Sequence, residues 1–263
     1  MGRTMPRMEG AEPGESQPEE ADRPATPIRG PVVSLREAWE RRRVLRREWR
    51  FPTWPRRWPI RWSRRAIQTV LIFPLLRAGY SLEINGRANI DRSREPYLVI
   101  SNHNMHLDQG MLLRAMPADF RQRVAIAAAA SDIYGNRVRG FFASLLGNAF
   151  PFAKEGAGIR ESLEYVFKML DDRWNVLMFP EGKLTVLGPM QRFKTGIGRL
   201  AVDAGVPVLP MRIDVIRPGF YEGRWLPHPR ARILVTIGKP VICAPGTSPA
   251  QAAALLERAV REA

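Results

Sequence analysis

Through residues 80–263, short apolar runs alternate with stretches of helical period, and that alternation predicts the elements. Tyr97-Leu98-Val99-Ile100 is an unbroken apolar run of strand length, suited to burial on both faces of a sheet. Val124 to Ala130 is a second such run, although its alanines also suit a helix, and Ala149-Phe150-Pro151-Phe152 is a third. From Ile159 to Arg173 the period changes. Leu163, Val166, Phe167 and Leu170 fall on one stripe, which predicts a helix. Asn175 to Phe179 reads as strand, and Lys194 to Ala204 as a helix stopped by Gly205. Val206 to Ile213 and Arg232 to Ile237 read as two further strands, and Ser248 caps a last helix with Pro249 in its first turn. Strands alternating with helices predict an α/β domain with a mixed, mostly parallel sheet flanked by helices.

The chain before this domain changes character twice. Residues 1–35 are rich in Pro, Gly and Glu and poor in large apolar groups, so they cannot offset their ordering entropy and are predicted to be a disordered tail. Residues 36–65 carry twelve arginines against Glu37, Glu40 and Glu48, and five of the seven tryptophans. Prolines 52, 55 and 59 interrupt any helix through the middle, and the apolar run Ala66 to Leu76 is too short to cross a bilayer. Trp favours the headgroup boundary and Arg pairs with lipid phosphate, so residues 36–79 are predicted to be an interfacial, helical membrane-associating segment. The same Arg and aromatic chemistry also suits RNA or DNA, and a solvated basic arm is the third reading. The apolar run at 66–76 favours membrane.

A net charge of +15 on 263 residues requires an anionic partner, and the length fits one sizeable core with extensions. The single cysteine, Cys243, excludes an internal disulfide and a cysteine-rich zinc site. Met1 to Pro31 has no apolar core for secretion, and Pro6 stands where a myristoylation signal needs Ser or Thr, so a cytoplasmic location is expected.

The candidate chemistry begins with His103 and Asp108, just beyond the Tyr97–Ile100 run. An offset of five does not align two side chains on a regular helix, but they can meet where strand turns into helix. Asp108 would then hold one imidazole nitrogen and leave the other as a base. His106 opens an alternative in which His103, His106 and Asp108 bind a metal, though no further ligand cluster accompanies them. Phe179-Pro180-Glu181-Gly182-Lys183 follows a strand. Glu181 is a candidate for an acceptor hydroxyl and Lys183 for a phosphate. Lys154, after Asn148-Ala149-Phe150-Pro151-Phe152-Ala153, is either a solvated strand end or an anion contact. Lys194 opens a helix in Phe193-Lys194-Thr195-Gly196, where its charge adds to the positive end of the dipole.

Taken in order, these segments resemble the lysophospholipid (lysophosphatidic acid type) acyltransferase family over residues 80 to about 242. His103 and Asp108 match that family's block of Asn-His, four residues, Asp. Asn148 to Lys154 is similar to its Asn-Ala-Phe-Pro-Phe-Asp-Arg block, and Phe179 to Gly182 to Phe-Pro-Glu-Gly-Thr-Arg. Val206-Pro207-Val208-Leu209-Pro210 matches its apolar stretch around a proline. Two departures stand out: Lys154 replaces the usual Arg, and Lys183-Leu184 stand where Thr-Arg is usual.

The resemblance implies transfer of a fatty acyl group from acyl-CoA or acyl carrier protein to a lysophospholipid-like hydroxyl, with His103 and Asp108 catalytic. Glu181 and Gly182 would position the acceptor, and Lys154, Lys183 or Lys194 its anionic group. It implies no metal and no cofactor beyond the acyl donor, while the basic-aromatic segment would hold the chain peripherally on the cytoplasmic face of a membrane carrying anionic lipid. The rival readings are a metal-dependent hydrolase and a non-catalytic membrane or nucleic-acid binding protein.

Overall fold

The computed structural model describes residues 51–154, 156, 158–185, 189–216 and 230–263. The proposed disordered tail and the first part of the basic segment lie outside these residues. From Trp58 the chain is helical to Gly79: α1 (Trp58–Ile67), a wide π turn (Gln68–Ile72) and α2 (Phe73–Gly79). Pro59 sits in the first turn of α1, where its missing N–H costs nothing, whereas Pro74 lies inside the continuous helical run, just after the π turn. Among the described residues, no helix is long and apolar enough to cross a membrane.

Seven strands follow: β1 (Ser81–Asn85), β2 (Leu98–Ser101), β3 (Val124–Ala129), β4 (Ala149–Phe152), β5 (Asn175–Met178), β6 (Val208–Ile216) and β7 (Arg232–Ile237). They form one sheet in the order β1-β7-β6-β2-β5-β3-β4. Every neighbouring pair is parallel except β6–β7, so the sheet is mixed and mostly parallel, as predicted. β4 carries Pro151 and lies at the edge, where a missing N–H leaves no ladder bond unmade on the open side. At Pro210 within β6, pairing with β2 continues while the antiparallel ladder to β7 begins one residue later, at Met211.

The helices α3 (Asp108–Ala115), α4 (Arg137–Gly147), α5 (Gly158–Asp171), α6 (Thr195–Ala204) and α7 (Pro249–Arg261) complete the domain. All four residues of β2 are fully buried. Their alternation sends Leu98 and Ile100 to a core shared with α5, α6 and α7, and Val99 to one shared with α3 and β7. α6 and α7 touch backbone to backbone at Gly198, where a Cβ would lie 2.1 Å from the carbonyl oxygen of Pro249. Ser248 caps α7 through a reciprocal pair of bonds with Gln251, and Gly205 ends α6 at φ +61°.

The structure shifts the sixth strand to Val208–Ile216 from the predicted Val206–Ile213, because the antiparallel partner β7 extends it to Ile216. Two elements went unforeseen. β1 is only five residues of partly exposed alternation, and α4 turns Val138, Phe141 and Phe142 outward, which breaks the apolar stripe expected of a packed helix.

Candidate active site

β2 is central and parallel to both neighbours, so its carboxyl end opens where the chain leaves the sheet for a helix. This is the edge at which open α/β sheets place their sites. Asn102 fixes the exit. Its side-chain N–H₂ donates to the Ile213 carbonyl and its Oδ1 accepts from the Ile213 N–H, both at 2.8 Å, so an amide side chain continues the β2–β6 ladder. Asn104 adds a bond to the same carbonyl at 2.7 Å. Between them, His103 is turned away from β6.

Asp108 is the first residue of α3, and the intervening turn brings it back onto His103. Its Oδ2 accepts from the backbone N–H groups of Asn104 (2.7 Å) and Met105 (3.0 Å) and lies 2.8 Å from His103 Nδ1. Asp108 is fully buried, and its Oδ1 has no hydrogen-bond partner. Burial pushes the carboxyl above the ordinary carboxylate range, against the lowering effect of the bonds from His103, Met105 and Asn104. Two backbone donors and an acid at a helix start still favour the ionised form locally. With Oδ2 as acceptor, the His103 proton belongs on Nδ1 and the lone pair on Nε2. The imidazole stacks on the Phe179 ring at 4.2 Å between centroids and remains partly exposed.

Glu181 locks the loop after β5 to the loop after β2. Its Oε1 accepts from the His103 backbone N–H at 2.8 Å. Its Oε2 accepts from the Gln191 N–H at 3.0 Å and the Thr185 hydroxyl at 3.3 Å. The Thr185 N–H donates in turn to the His103 carbonyl at 2.8 Å. Oε1 thus holds the backbone of the histidine and Oε2 the segment at Thr185 and Gln191, and Glu181 is only 4% exposed. Gly182 sits at φ +73°, and a Cβ there would lie 2.8 Å from Lys194 Cε and 3.1 Å from its Nζ. Glycine thus lets the Lys194 ammonium lie over the turn beside Glu181.

The structure brings His103, Asp108, Glu181, Gly182 and Lys194 together. Lys183 is an exposed residue of the same turn. Lys154 follows β4, three strands across from β2, roughly 14 Å at ordinary interstrand spacing. Its Nζ is ion-paired with Asp132 at 2.8 Å. His106 is exposed, and among the described residues no three His, Cys, Asp or Glu side chains are grouped to hold a metal ion. Sequence reasoning missed Thr185, Gln191 and the clamp of Asn102 and Asn104 on β6. The amides flanking His103 were the only signal available for that clamp, since their partner Ile213 lies over a hundred residues away.

The acyltransferase family profile matches residues 81–214, half of the chain, and spans every site residue just described. The chain belongs to the acyltransferase family. It is 30% identical over 134 residues to the 1-acyl-sn-glycerol-3-phosphate acyltransferase alpha of Ovis aries and to that of Homo sapiens, covering 51% of this chain and 45% of each relative. The chain thus spans about half the length of these relatives. To the 1-acyl-sn-glycerol-3-phosphate acyltransferase of Pseudomonas aeruginosa it is 29% identical over 205 residues, covering 75% of this chain and 72% of that protein. The crystal structure of the 1-acyl-sn-glycerophosphate (LPA) acyltransferase PlsC from Thermotoga maritima superposes with a TM-score of 0.52 at 22% identity, over 78% of both chains, and shows the same fold.

Proposed function

We propose that this acyltransferase-family chain transfers a fatty acyl group from a thioester, acyl-CoA or acyl carrier protein, to the free hydroxyl of a lysophosphatidate-like glycerolipid. The observation that carries this reading is the 2.8 Å contact of His103 Nδ1 with the buried Asp108 carboxylate, at the open end of the central strand. The names of the relatives, all acylating a glycerol phosphate already carrying one chain, supply the acceptor class.

His103 Nε2 takes the proton of the acceptor hydroxyl as its oxygen attacks the thioester carbonyl carbon. The tetrahedral intermediate expels the thiolate, which recovers the proton from the imidazolium, leaving an ester and a thiol. Asp108 holds the tautomer and stabilises the imidazolium between the two steps. Glu181 acts through the backbone of His103 and is a positioning residue. Lys194, lying over Gly182, is best placed for the acceptor phosphate, with Lys183 on the same turn. Lys154 would serve an anionic group further along the sheet edge. No metal or organic cofactor enters the scheme.

The chain would work at a membrane surface, peripherally and on the cytoplasmic face. Trp58, Trp62, Val70, Leu71 and Leu75 on α1, the π turn and α2 are all more than half exposed, and arginines flank them. The test is release of free thiol from acyl-CoA that depends on added lysophosphatidate. His103→Ala should abolish it without lowering the unfolding temperature by more than a few degrees. Full activity in that variant would refute the role given to His103.

A further inference from the structure

A cavity of about 410 Å³ lies between α1 and the turn that leads into β3. Trp58 and Trp62 form its outer wall, and Arg61, Gln122 and Arg123 are among its lining residues. Gln122 and Arg123 immediately precede β3, and Arg61 lies over the ring of Trp174, the residue before β5. The cavity therefore sits at the edge where the parallel strands begin. His103 and Glu181 follow strand ends, at the opposite edge. This cavity is not part of the catalytic site.

Two polar groups of its lining lack hydrogen-bond partners among the described residues. Gln122 is 93% buried and its Nε2 makes no hydrogen bond. The Nε of Arg123 is buried and also unpartnered. Arg65 and Arg92 share the one acid of the lining, Asp119, at 3.8 and 3.5 Å. Among the described residues, neither Arg61 nor Arg123 has an acid within ion-pairing distance. On the same helix, Arg64 is 1% exposed; its Nη1 donates to the Pro55 carbonyl, and its Nη2 has no partner among the described residues. Burial, with Arg61 and Arg56 nearby, pushes the Arg64 guanidinium down to about 10. Burial and the Arg123 charge likewise lower Arg61. Four arginines and the Gln122 amide line one concavity in which Asp119 is the one acid among the described residues, an excess of positive charge that an entering anion would offset.

We propose that this cavity binds a phosphate group, that of an anionic glycerophospholipid headgroup, through Arg61, Arg123 and the Gln122 amide. Guanidinium forks and an amide N–H₂ suit a tetrahedral oxyanion. Trp58 and Trp62, 71% and 54% exposed at the rim, suit the glycerol and upper acyl region of a lipid better than a free ion in water. The inference rests on the membrane reading above and gives that surface a headgroup site distinct from the catalytic one.

Vesicle co-sedimentation of the full chain, with phosphatidylcholine alone and with added phosphatidylglycerol, separates the two readings. Binding to neither would overturn the membrane reading. Binding to both, with no gain from phosphatidylglycerol, would overturn the headgroup site alone. The proposal expects a gain that falls about fivefold for each of Arg61→Gln and Arg123→Gln, the equivalent of about 1 kcal/mol per basic residue. Gln122→Leu, which changes no charge, should also lower it several-fold. Arg137→Gln with Arg139→Gln, on exposed positions of α4, should leave most of it. Equal loss in that control, or an unaffected folded Gln122→Leu variant, would overturn the site in favour of diffuse attraction. Arg61 is partly exposed on a helix, so its variant keeps the test open if Gln122→Leu does not fold. In calorimetry, glycerol phosphate should bind the wild-type chain with one site more than Arg123→Gln, since the acceptor site at Lys194 is present in both. Inorganic phosphate binding equally tightly would overturn the lipid source.

Discussion

Replacing Asp108 by asparagine should separate the charge of this carboxylate from its architecture. The Asn oxygen can occupy the Oδ2 position, where it keeps the bonds from the Asn104 and Met105 N–H groups at 2.7 and 3.0 Å and still faces His103 Nδ1. The amide nitrogen then takes the place of Oδ1, which is buried with no partner, at a cost of about 1–3 kcal/mol. Against this, the variant no longer buries a charge, and burial already pushes the native carboxyl upward. The two effects are of similar size, so the unfolding temperature should move by only a few degrees, given roughly 2–4 °C per kcal/mol for a domain of this size. Catalysis has no such offset. An imidazolium 2.8 Å from a carboxylate gains about 6 kcal/mol at an effective dielectric constant of about 20. The amide dipole retains part of this, which leaves a loss of about 4 kcal/mol, or roughly a thousandfold in kcat. The assay is lysophosphatidate-dependent thiol release from acyl-CoA, beside thermal unfolding of both proteins. A kcat within tenfold of wild type would refute the assigned role. So would a collapse of folding that tracks the activity loss, since the residue would then be structural.

Gly182→Ala should lower activity more than stability. The φ of +73° costs an alanine about 1 kcal/mol, while its Cβ displaces the Lys194 side chain, so KM for lysophosphatidate should rise and the unfolding temperature fall only a few degrees. An unchanged KM would remove Lys194 from the acceptor site. Gly198→Ala should do the reverse. A Cβ 2.1 Å from Pro249 O and 2.6 Å from Ala253 N forces α6 and α7 apart, costing about 3 kcal/mol or more, and the unfolding temperature should drop by roughly 6–12 °C. A shift below about 2 °C would contradict the close helix contact. At alkaline pH, the Tyr134 phenol is pushed up to about 12 by burial, against a bond with Ser144. The stability tied to its protonated form is complete below pH 10 and is lost as pH rises from 10 towards 12, by about 2–3 kcal/mol. Tyr134→Phe should therefore show a shallower loss of unfolding temperature over that range. Parallel curves for the two proteins would exclude the effect.

Much of this molecule was legible in the chain. Apolar runs the length of a strand, such as Tyr97–Ile100 and Asn175–Phe179, have one favourable fate in water, which is burial within a sheet, and β2 and β5 lie there. Gly205 and Ser248 mark helix ends because their preferences are local, and the structure has them at those ends. His103 and Asp108 could be paired on paper because only a turn separates them. The rest required the fold. The sequence assigned Glu181 to the acceptor, yet its carboxylate grips the backbone of a histidine 78 residues earlier. Which hydrogen-bond donors surround an acid depends on strand order, and no pattern along the chain encodes that β2 and β5 are neighbours. The same holds for Arg61, Gln122 and Arg123. The unpartnered Gln122 Nε2 and Arg123 Nε, and the cavity these residues line with Arg61, exist only once α1 lies beside the start of β3. Local sequence sets what each segment can become, because backbone preference and burial act over a few residues. Site chemistry needs groups within about 3 Å of one another, and for residues distant in the chain only tertiary packing brings that about.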